Sequence, residues 1–576
     1  MDKIRIMRLV LFVELVVLLG SAVAISRDYQ DSWILEGLEV PFAVFIVTYI
    51  GYFMIEKRLN WLISFALIAH TTLILIPNLK YIWFHGVAID QHLQYKLASA
   101  TLNEGHIIPG TLYSDTPFLA LSFVIYSATS GLPILQSMKY FPLILWFTYP
   151  IWIYVILRKF GANFTLLKYA LLASSFPVKP EMSYIVRGTI FGAFFVFLIL
   201  VQLAKSAINR NRSDWVLIVI FTFVLVGGHS FSSITLPVAL LIVTLLSFIL
   251  GRFSHDFNLA KVKPLFLSVM AIIVASVAWL SLLAQRMFLG SINFFIPYIN
   301  KLLNVPTSGL PGTFIASRFF KIDFVKQLNT SLVFNGGDFL LLLFTLVGVL
   351  ITIRVSRLRK KQGLLLLSFY FIALMTLLFF GLVLNLGFHW GNRIFRLASI
   401  ITPIFSGIFL YYVQTKLHTK AVSILIIGLL VILATLQLYR CQPLIPAASE
   451  LGKQLPSDEP LVYVTKVNTA YQRYMINHAE RYLPDGTTIA ADKVTGNQLY
   501  GLVSMSFWQD HKILYLLKWP ERVPPDYFLL HLPGIAGGFL EPAENRTRSL
   551  ILSIIYDSSY NIVYSNAESY ILERAR

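Results

Sequence analysis

The 576-residue chain is 57% hydrophobic and 13% charged, with a mean hydropathy of +0.70 and a formal net charge of +18. An ordinary soluble globular protein is about 25% charged, so this composition excludes that class and calls for repeated apolar segments within a bilayer. The positive charge does not point to a nucleic acid partner, because the basic residues fall in short links between apolar runs, where the positive-inside rule places them.

Mostly apolar stretches recur from Ile6 to Tyr439, and a helix of about 20 residues crosses a hydrocarbon layer of about 30 Å. The pattern predicts about thirteen spans, near 6–25, 38–55, 61–78, 137–157, 164–178, 188–206, 214–230, 233–250, 265–285, 338–354, 364–385, 394–413 and 421–439. With the N-terminus and its Lys3, Arg5 and Arg8 inside, 20 Lys and Arg fall in inside links and five, Arg27, Lys179, Arg187, Arg393 and Arg396, in short outside ones. That asymmetry predicts a cytoplasmic N-terminus and an external C-terminus. The first apolar run is long for a signal peptide and no small-residue cleavage site follows it, so it reads as a retained span. The run Phe118–Thr129, between Pro117 and Gly131, is too short to cross and reads as a re-entrant or interfacial helix. The single cysteine, Cys441, excludes an internal disulfide.

These boundaries divide the chain into an N-terminal pair of spans (1–60), a transmembrane module (61–440) with long outside loops at 79–136 and 286–337, and an external tail (441–576). Loops of that length in a compact protein are usually functional. In the tail, short β-patterned runs (LVYVT, TTIAAD, DYFLLHL, RSLILSIIYD, NIVYSN, ESYILER) alternate with the helical NTAYQRYMINHAERYL, which predicts a small α/β domain. The fold class is therefore a polytopic α-helical membrane protein with a small soluble α/β domain at its C-terminal end.

No Walker loop, G-x-G-x-x-G after a strand, or kinase set is present, so no nucleotide is expected. An external active site without a nucleotide needs an activated donor that arrives in the membrane, and a polyprenyl-phosphate sugar meets that need. Asp90, in AIDQH soon after the third span, is the candidate general base for an acceptor hydroxyl; its ordinary alternative is a loop carboxylate or helix cap. Asp115, in YSDTP, is a second candidate in the same loop, or a turn or cap residue. Glu181 and Arg187 share the link KPEMSYIVR. Glu181 could join Asp90 around a divalent ion, and Arg187 could hold a phosphate. In NLGFHWGNRIFR, Arg393 and Arg396 open an outer span against the positive-inside trend, which makes them candidates for phosphate binding, with His389 just before them. His229, in GGHSFSS at the outer end of a span, either lines a polar pocket or satisfies a helix end. The glycine pair before it reads as a helix end. His85 and His92 lack a third partner at zinc spacing. Glu14 and His70 lie within spans and raise the question of transport.

Together, the acidic outside loop with AIDQH, the amphipathic DTPFLALSFVIYSATSGLP, the span ending in LRKFG, and the stretches SFPVKPEMSYIVRGTIFGAFF and GGHSFSSITLPVALL resemble the GT-C superfamily of membrane glycosyltransferases, over roughly Trp61 to Tyr439. The resemblance implies an inverting transfer of one sugar from a polyprenyl-phosphate donor to a glycan, lipid or protein acceptor at the external face, with Asp90 as catalytic base or metal ligand. It also implies that re-entrant helices of the first long loop match Phe118 to Thr129. The loop has Asp-Gln where metal-dependent members have paired acids, so no metal is expected, with Mg or Mn at Asp90 and Glu181 as the alternative. A W-W-D-Y-G signature is absent from the tail, and MSFWQDHK only superficially echoes it. The first two spans read as an addition before the module. The rival readings are a glycolipid flippase or ligase-like handler that does not use Asp90 as base, and a secondary transporter, whose paired halves with matched helix breaks are not found here. A reporter fused after Arg576 is expected to be external and one at Arg359 cytoplasmic; both on one side would overturn the loop assignments.

Overall fold

The computed structural model describes residues 3–27, 36–80, 89–107, 113–175, 188–206, 212–253, 262–285, 340–355, 358, 361–383, 387–417, 425–430, 470–491, 512–515, 526–531, 560–565 and 569–574. Helices dominate them. α1 (Lys3–Arg27), α2 (Glu36–Ile55) and α3 (Leu59–Lys80) precede α4 (Ile89–Glu104) and α5 (Phe118–Ser130), which belong to the first long loop. α6 (Ile134–Trp146), α7 (Tyr149–Lys159), α8 (Phe164–Ser175), α9 (Gly188–Ser206), α10 (Arg212–Gly228), α11 (Ser230–Gly251) and α12 (Val262–Leu282) come next. Beyond the second long loop, which lies outside the described residues, come α13 (Leu340–Arg354), α14 (Gln362–Val383), α15 (Gly387–Ser399) and α16 (Thr402–Leu417).

Among the described residues, four helical stretches are long and apolar enough to cross a membrane: Ile134–Lys159, Gly188–Lys205, Ser230–Gly251 and Gln362–Phe380. A fifth is the pair Arg393–Ser399 and Thr402–Lys416, bent by 54°. The expected span at 394–413 is thus a broken one. Most of the expected last span, 421–439, lies outside the described residues. α5 is a separate 13-residue helix, closed by Gly131 in the left-handed region (φ 71°), whose amide donates to the Ser127 carbonyl. LRKFG ends α7 in the same manner: Gly161 has φ 66°, and the amides of Gly161 and Ala162 donate to the carbonyls of Arg158 and Leu157.

In a bilayer there is no water to satisfy a freed backbone carbonyl, so each helix break needs a side-chain donor. Proline frees such carbonyls, at the α6–α7 and α15–α16 junctions and inside the continuous α11, because it has no amide hydrogen for the carbonyl four residues earlier. Pro150 leaves the Trp146 carbonyl, and His70 Nε2 from α3 donates to it at 3.1 Å. Pro237 leaves the Ser233 carbonyl, and Ser276 Oγ from α12 donates to it at 3.1 Å. Pro403 leaves the Ser399 carbonyl, and Thr402 Oγ1 donates to it at 2.8 Å. The intramembrane histidine that raised the question of transport thus has a structural partner. So has Glu14, which accepts from Thr48 Oγ1 at 3.1 Å.

The first two helices share a core with the helices of the module: Leu11, Tyr49 and Phe53 pack in one buried cluster with Leu62, Leu172, Phe344 and Leu410. At one end of that cluster Glu56 ion-pairs with Arg8, accepts from Tyr52 at 2.7 Å, and holds the link before α3 by accepting from the amides of Lys57 and Arg58 at 2.9 and 2.8 Å. No packing break therefore marks residue 60. α16 approaches its neighbours at two glycine contacts. A Cβ on Gly407 would lie 2.7 Å from the Ala170 Cα in α8, and one on Gly348 2.0 Å from the Phe405 carbonyl oxygen. Close backbone approach at small residues replaces the hydrophobic driving force that is absent between helices in lipid.

In the tail, α17 (Ala470–Tyr482) lies on a five-stranded sheet of β1 (Thr488–Ala491), β2 (Lys512–Tyr515), β3 (Tyr527–His531), β4 (Tyr560–Ser565) and β5 (Ser569–Arg574), in the order β2-β1-β3-β5-β4. β1 is parallel to β2 and β3, and β5 is antiparallel to β3 and β4. Met475, Ile476 and Ala479 of α17 bury against Ile489, Ala491, Leu529 and Ile571, a core separate from the helical ones. Four strands and the helix coincide with runs read from the sequence. β2, from KILY, does not, because four residues carry too little alternation to register as a strand. The runs LVYVT and RSLILSIIYD lie outside the described residues.

Ser276→Ala is expected to leave the Ser233 carbonyl unpaired and to destabilise the protein by about 1–3 kcal/mol, read as a lowered thermal midpoint in detergent; an unchanged midpoint would show that the carbonyl freed by Pro237 needs no donor.

Candidate functional site

The site is built at the junction of α10 and α11. α10 ends at the glycine pair Gly227-Gly228, and His229 is the N-cap of α11. Its Nδ1 accepts from the Ser232 amide at 3.3 Å and lies 2.7 Å from Ser232 Oγ, so the ring hydrogen is assigned to Nε2. Both sequence readings of this histidine therefore hold, since it caps a helix and it lies in a polar cluster.

The glycines of GTIFG allow this geometry. A Cβ on Gly188 would lie 2.8 Å from the His229 ring, and one on Gly192 2.6 Å from His229 Nδ1 and 2.5 Å from Ser232 Oγ. α9 thus presses its first turns directly against the imidazole. Gly228 receives the Phe191 ring and Gly227 the Phe118 ring in the same way, which locks α9 and α5 onto the same junction.

α15 brings the arginines. The Arg393 guanidinium is exposed and stands 5.1 Å over the ring of Phe231, whose centroid is 6.3 Å from that of His229. Arg396, one helical turn later, is 4% exposed. Burial, reinforced by the positive charges of Arg393 and Arg396, holds the His229 imidazole well below its ordinary range, so it stays neutral. Two cations, a neutral N–H donor and the start of a 22-residue helix converge here, an arrangement that attracts a phosphate. The same two cations disfavour a divalent metal at His229. Among the described residues, no three His, Cys, Asp or Glu side chains group closely enough to hold a metal ion.

The first long loop reaches this junction through α5 and α4. Asp115 occupies a turn, closed by the Thr116 amide on the Tyr113 carbonyl at 3.1 Å. α5 begins after Pro117 without a side-chain cap, so of the two structural roles open to Asp115 the turn is the one found. Its carbonyl accepts from Trp279 Nε1 at 3.3 Å, and Phe118, Phe223 and Trp279 stack around that contact. On α4, Leu97 and Ala98 pack in one cluster with Phe123, Met138 and Phe191, the residue seated on Gly228. Asp90 lies in the first turn of α4, four residues before Gln94, which is 2% exposed. The side chains of Asp90, His92 and His389 lie outside the described residues, though their backbones are helical, and Glu181, Arg187, Cys441 and His85 lie outside altogether.

The structure thus brings His229, Arg393 and Arg396 together and sets the Asp115 turn and the α4 helix of Asp90 on elements packed against the same junction. Sequence reasoning missed Ser232, Phe231 and the Gly188-Gly192 seat. The glycines, four apart in an apolar helix, are the signal that could have found the seat.

No family model and no characterised protein matches the sequence; the likeness is in three dimensions. An oligosaccharyltransferase from Archaeoglobus fulgidus, solved in complex with Zn and sulfate, superposes with a TM-score of 0.52 at 14% identity, over 89% of this chain and 73% of that one. Weaker likenesses link the chain to the archaeal oligosaccharyltransferase AglB from the same organism with an inhibitory peptide and a dolichol-phosphate (TM-score 0.48, 13% identity, 88% and 74% covered), and to ArnT from Cupriavidus metallidurans bound to undecaprenyl phosphate (0.45, 11%, 90% and 98%). The first superposition carries the assignment: the chain shares the fold of a membrane glycosyltransferase, as the sequence resemblance implied.

Lys96 on α4 is 7% exposed. Burial lowers its ammonium to about 8, and the charge of Glu480 on α17 opposes that shift. The unfolded chain holds this proton up to an ordinary value of 10.5. Between these limits it binds more protons than the folded protein, so stability rises with pH across the window and the cost of the buried cation is fully present below it. The thermal midpoint is expected to climb between about pH 8 and pH 10, and to climb less in Lys96→Met; parallel pH curves for the two proteins would refute this.

Proposed function

We propose that the protein is an inverting glycosyltransferase that moves one sugar from a polyprenyl-phosphate donor to an acceptor at the external membrane face. The observation that carries this reading is the pairing of Arg393 and Arg396 with the neutral His229 at the start of α11, a phosphate-binding arrangement at the end of an apolar bundle. The shared fold supports the reaction class.

In the proposed step an acceptor hydroxyl oxygen attacks the anomeric carbon while the bond from that carbon to the phosphate oxygen breaks. Asp90 takes the hydroxyl proton as general base, and the lipid leaves as a phosphate monoester. Cleavage turns a phosphodiester with one negative charge into a monoester with up to two. Cations that gain attraction as that charge develops lower the barrier, and this is the role given to Arg393 and Arg396. His229 Nε2 donates to a phosphate oxygen without adding charge. A single displacement inverts the anomeric centre. Arg187, from the link before α9, and His389, in the first turn of α15, complete the donor pocket, and the Asp115 turn holds α5 over its mouth.

The reading requires no metal. The alternative, a divalent ion shared by Asp90 and Glu181 to neutralise the phosphate, assigns the two arginines a lesser part. The external placement of the tail, and its role as a separate domain reaching α4 through Glu480 and Lys96, belong to the same proposal. A glycolipid flippase would share the arginines but not depend on Asp90.

Asp90→Asn, nearly isosteric but unable to accept the proton, is expected to lower transfer about 10²- to 10⁴-fold while undecaprenyl phosphate still binds. Arg393→Gln or Arg396→Gln should weaken that binding about 10- to 100-fold, in line with loss of a hydrogen bond to a charged group. Loss of transfer on chelation, restored by Mn²⁺ or Mg²⁺, would favour the metal version; full transfer by Asp90→Asn with and without chelator would leave the flippase.

A further inference from the structure

Tyr149 stands where two interrupted helices meet. It opens α7, directly before Pro150, and is 7% exposed. Its ring is fixed on three sides, by Trp146 at 5.5 Å, Phe197 of α9 at 5.5 Å and His70 at 5.7 Å between centroids. Its hydroxyl donates to the Ile400 carbonyl at 2.6 Å, across 251 residues of sequence.

That carbonyl lies in the break between α15 and α16. The Ile404 amide, its partner in a continuous helix, donates instead to Ile401 at 3.2 Å, and the neighbouring Ser399 carbonyl, freed by Pro403, is taken by Thr402. Without the tyrosine hydroxyl, the Ile404 amide could return to Ile400 and the 54° bend would lose the bond that distinguishes it from a straighter helix. The hydroxyl therefore selects the bent state.

The bend carries the arginines. Arg396 is four residues before Ile400 and Arg393 seven. At a rise of 1.5 Å per residue Arg393 is about 10 Å from the pivot, so a change of about ten degrees moves it by roughly 2 Å, more than a hydrogen bond tolerates. The wall against which the arginines are set is referred to the same tyrosine, because Phe197, which packs on Tyr149, belongs to α9, whose first turns seat His229.

We propose that Tyr149 is a positioning residue for the donor phosphate, holding the Ile400 carbonyl so that α15 presents Arg393 and Arg396 beside His229. The proposal rests on the reading that these arginines bind the phosphate. It differs from a generic packing role in its consequence, since removal of one oxygen atom at the α6–α7 break should act on anion affinity through α15.

The test is Tyr149→Phe, which keeps the ring and its three aromatic contacts, with undecaprenyl monophosphate as probe in detergent-solubilised full-length protein. Affinity is expected to fall about 5- to 20-fold, the effect of roughly one hydrogen bond's misplacement, with the thermal midpoint little changed. Because the tyrosine acts only through the two arginines, Tyr149→Phe added to the double variant Arg393→Gln/Arg396→Gln should bind no more weakly than that double variant alone. Lys361→Met, which removes donors to the Phe160 and Gly161 carbonyls at the far end of α7, should leave affinity unchanged even where it lowers stability. If Tyr149→Phe does not fold, Thr402→Val, which frees the Ser399 carbonyl at the same bend, is read in its place. Wild-type affinity in Tyr149→Phe alongside a weakened Arg396→Gln would overturn the positioning role and leave the arginine reading intact. Additive losses would show a purely structural role. Unchanged affinity in both arginine variants would overturn that reading and this proposal with it.

Discussion

The structure depends on one constraint, that a backbone carbonyl freed inside the bundle must find a donor from the protein itself. Prolines 150, 237 and 403 each free one, and His70, Ser276 and Thr402 each answer it. The breaks are not defects in otherwise straight spans. The break between α15 and α16 bends the chain by 54° and carries two arginines to the end of the bundle where α11 begins, whereas α6 and α7 together make one apolar stretch. The donors then tie the elements together, since His70 joins α3 to the first break, Ser276 joins α12 to α11, and Tyr149 joins the first break to the second.

Around these breaks the packing obeys what lipid permits. Helices approach at glycines where backbone meets backbone, as at Gly407 and Gly348, and at glycines that admit a ring, as at Gly228 and Gly363, the latter receiving Phe160. Ion pairs occur at helix ends: Glu56 serves Arg8 and the amides of the link before α3 at once, and Lys205 of α9 pairs with Asp214 in the first turn of α10. Placed there, the charges fasten helix pairs without a desolvation cost at the bilayer centre.

The chemistry of the candidate site comes from the same logic. A helix start in an apolar bundle leaves amides unpaired, and His229 satisfies one of them with Nδ1, which in turn commits Nε2 to donate. Burial, with the neighbouring arginines, keeps the ring neutral. A neutral donor between two cations is suited to an anion and unsuited to a metal.

Much of this was legible in the sequence. Hydropathy placed most of the apolar helices between residues 3 and 417 to within a few residues, because in lipid the apolar length of a segment and its helicity are the same requirement; it did not give the polar α4 or the break between α15 and α16. The run at Phe118–Thr129 was separable from the spans by its length, and it forms the short α5. Arg393, Arg396 and His229 stood out because charge at an outer helix edge is costly without a partner. Sequence could not say that the three meet, since 164 residues separate His229 from Arg393 and only the packing of α9, α11 and α15 closes that distance. Nor could it assign His70, whose partner is a carbonyl 76 residues away, or foresee that the span holding Arg393 breaks at Ile400, because Pro403 marks where a bond is lost but not which hydroxyl replaces it. Composition and periodicity therefore determined the elements and the sidedness expected of them, which are local consequences of residue type. The tertiary structure decided which breaks are bridged, and so where the cations lie, because a donor for a freed carbonyl is chosen by proximity in space.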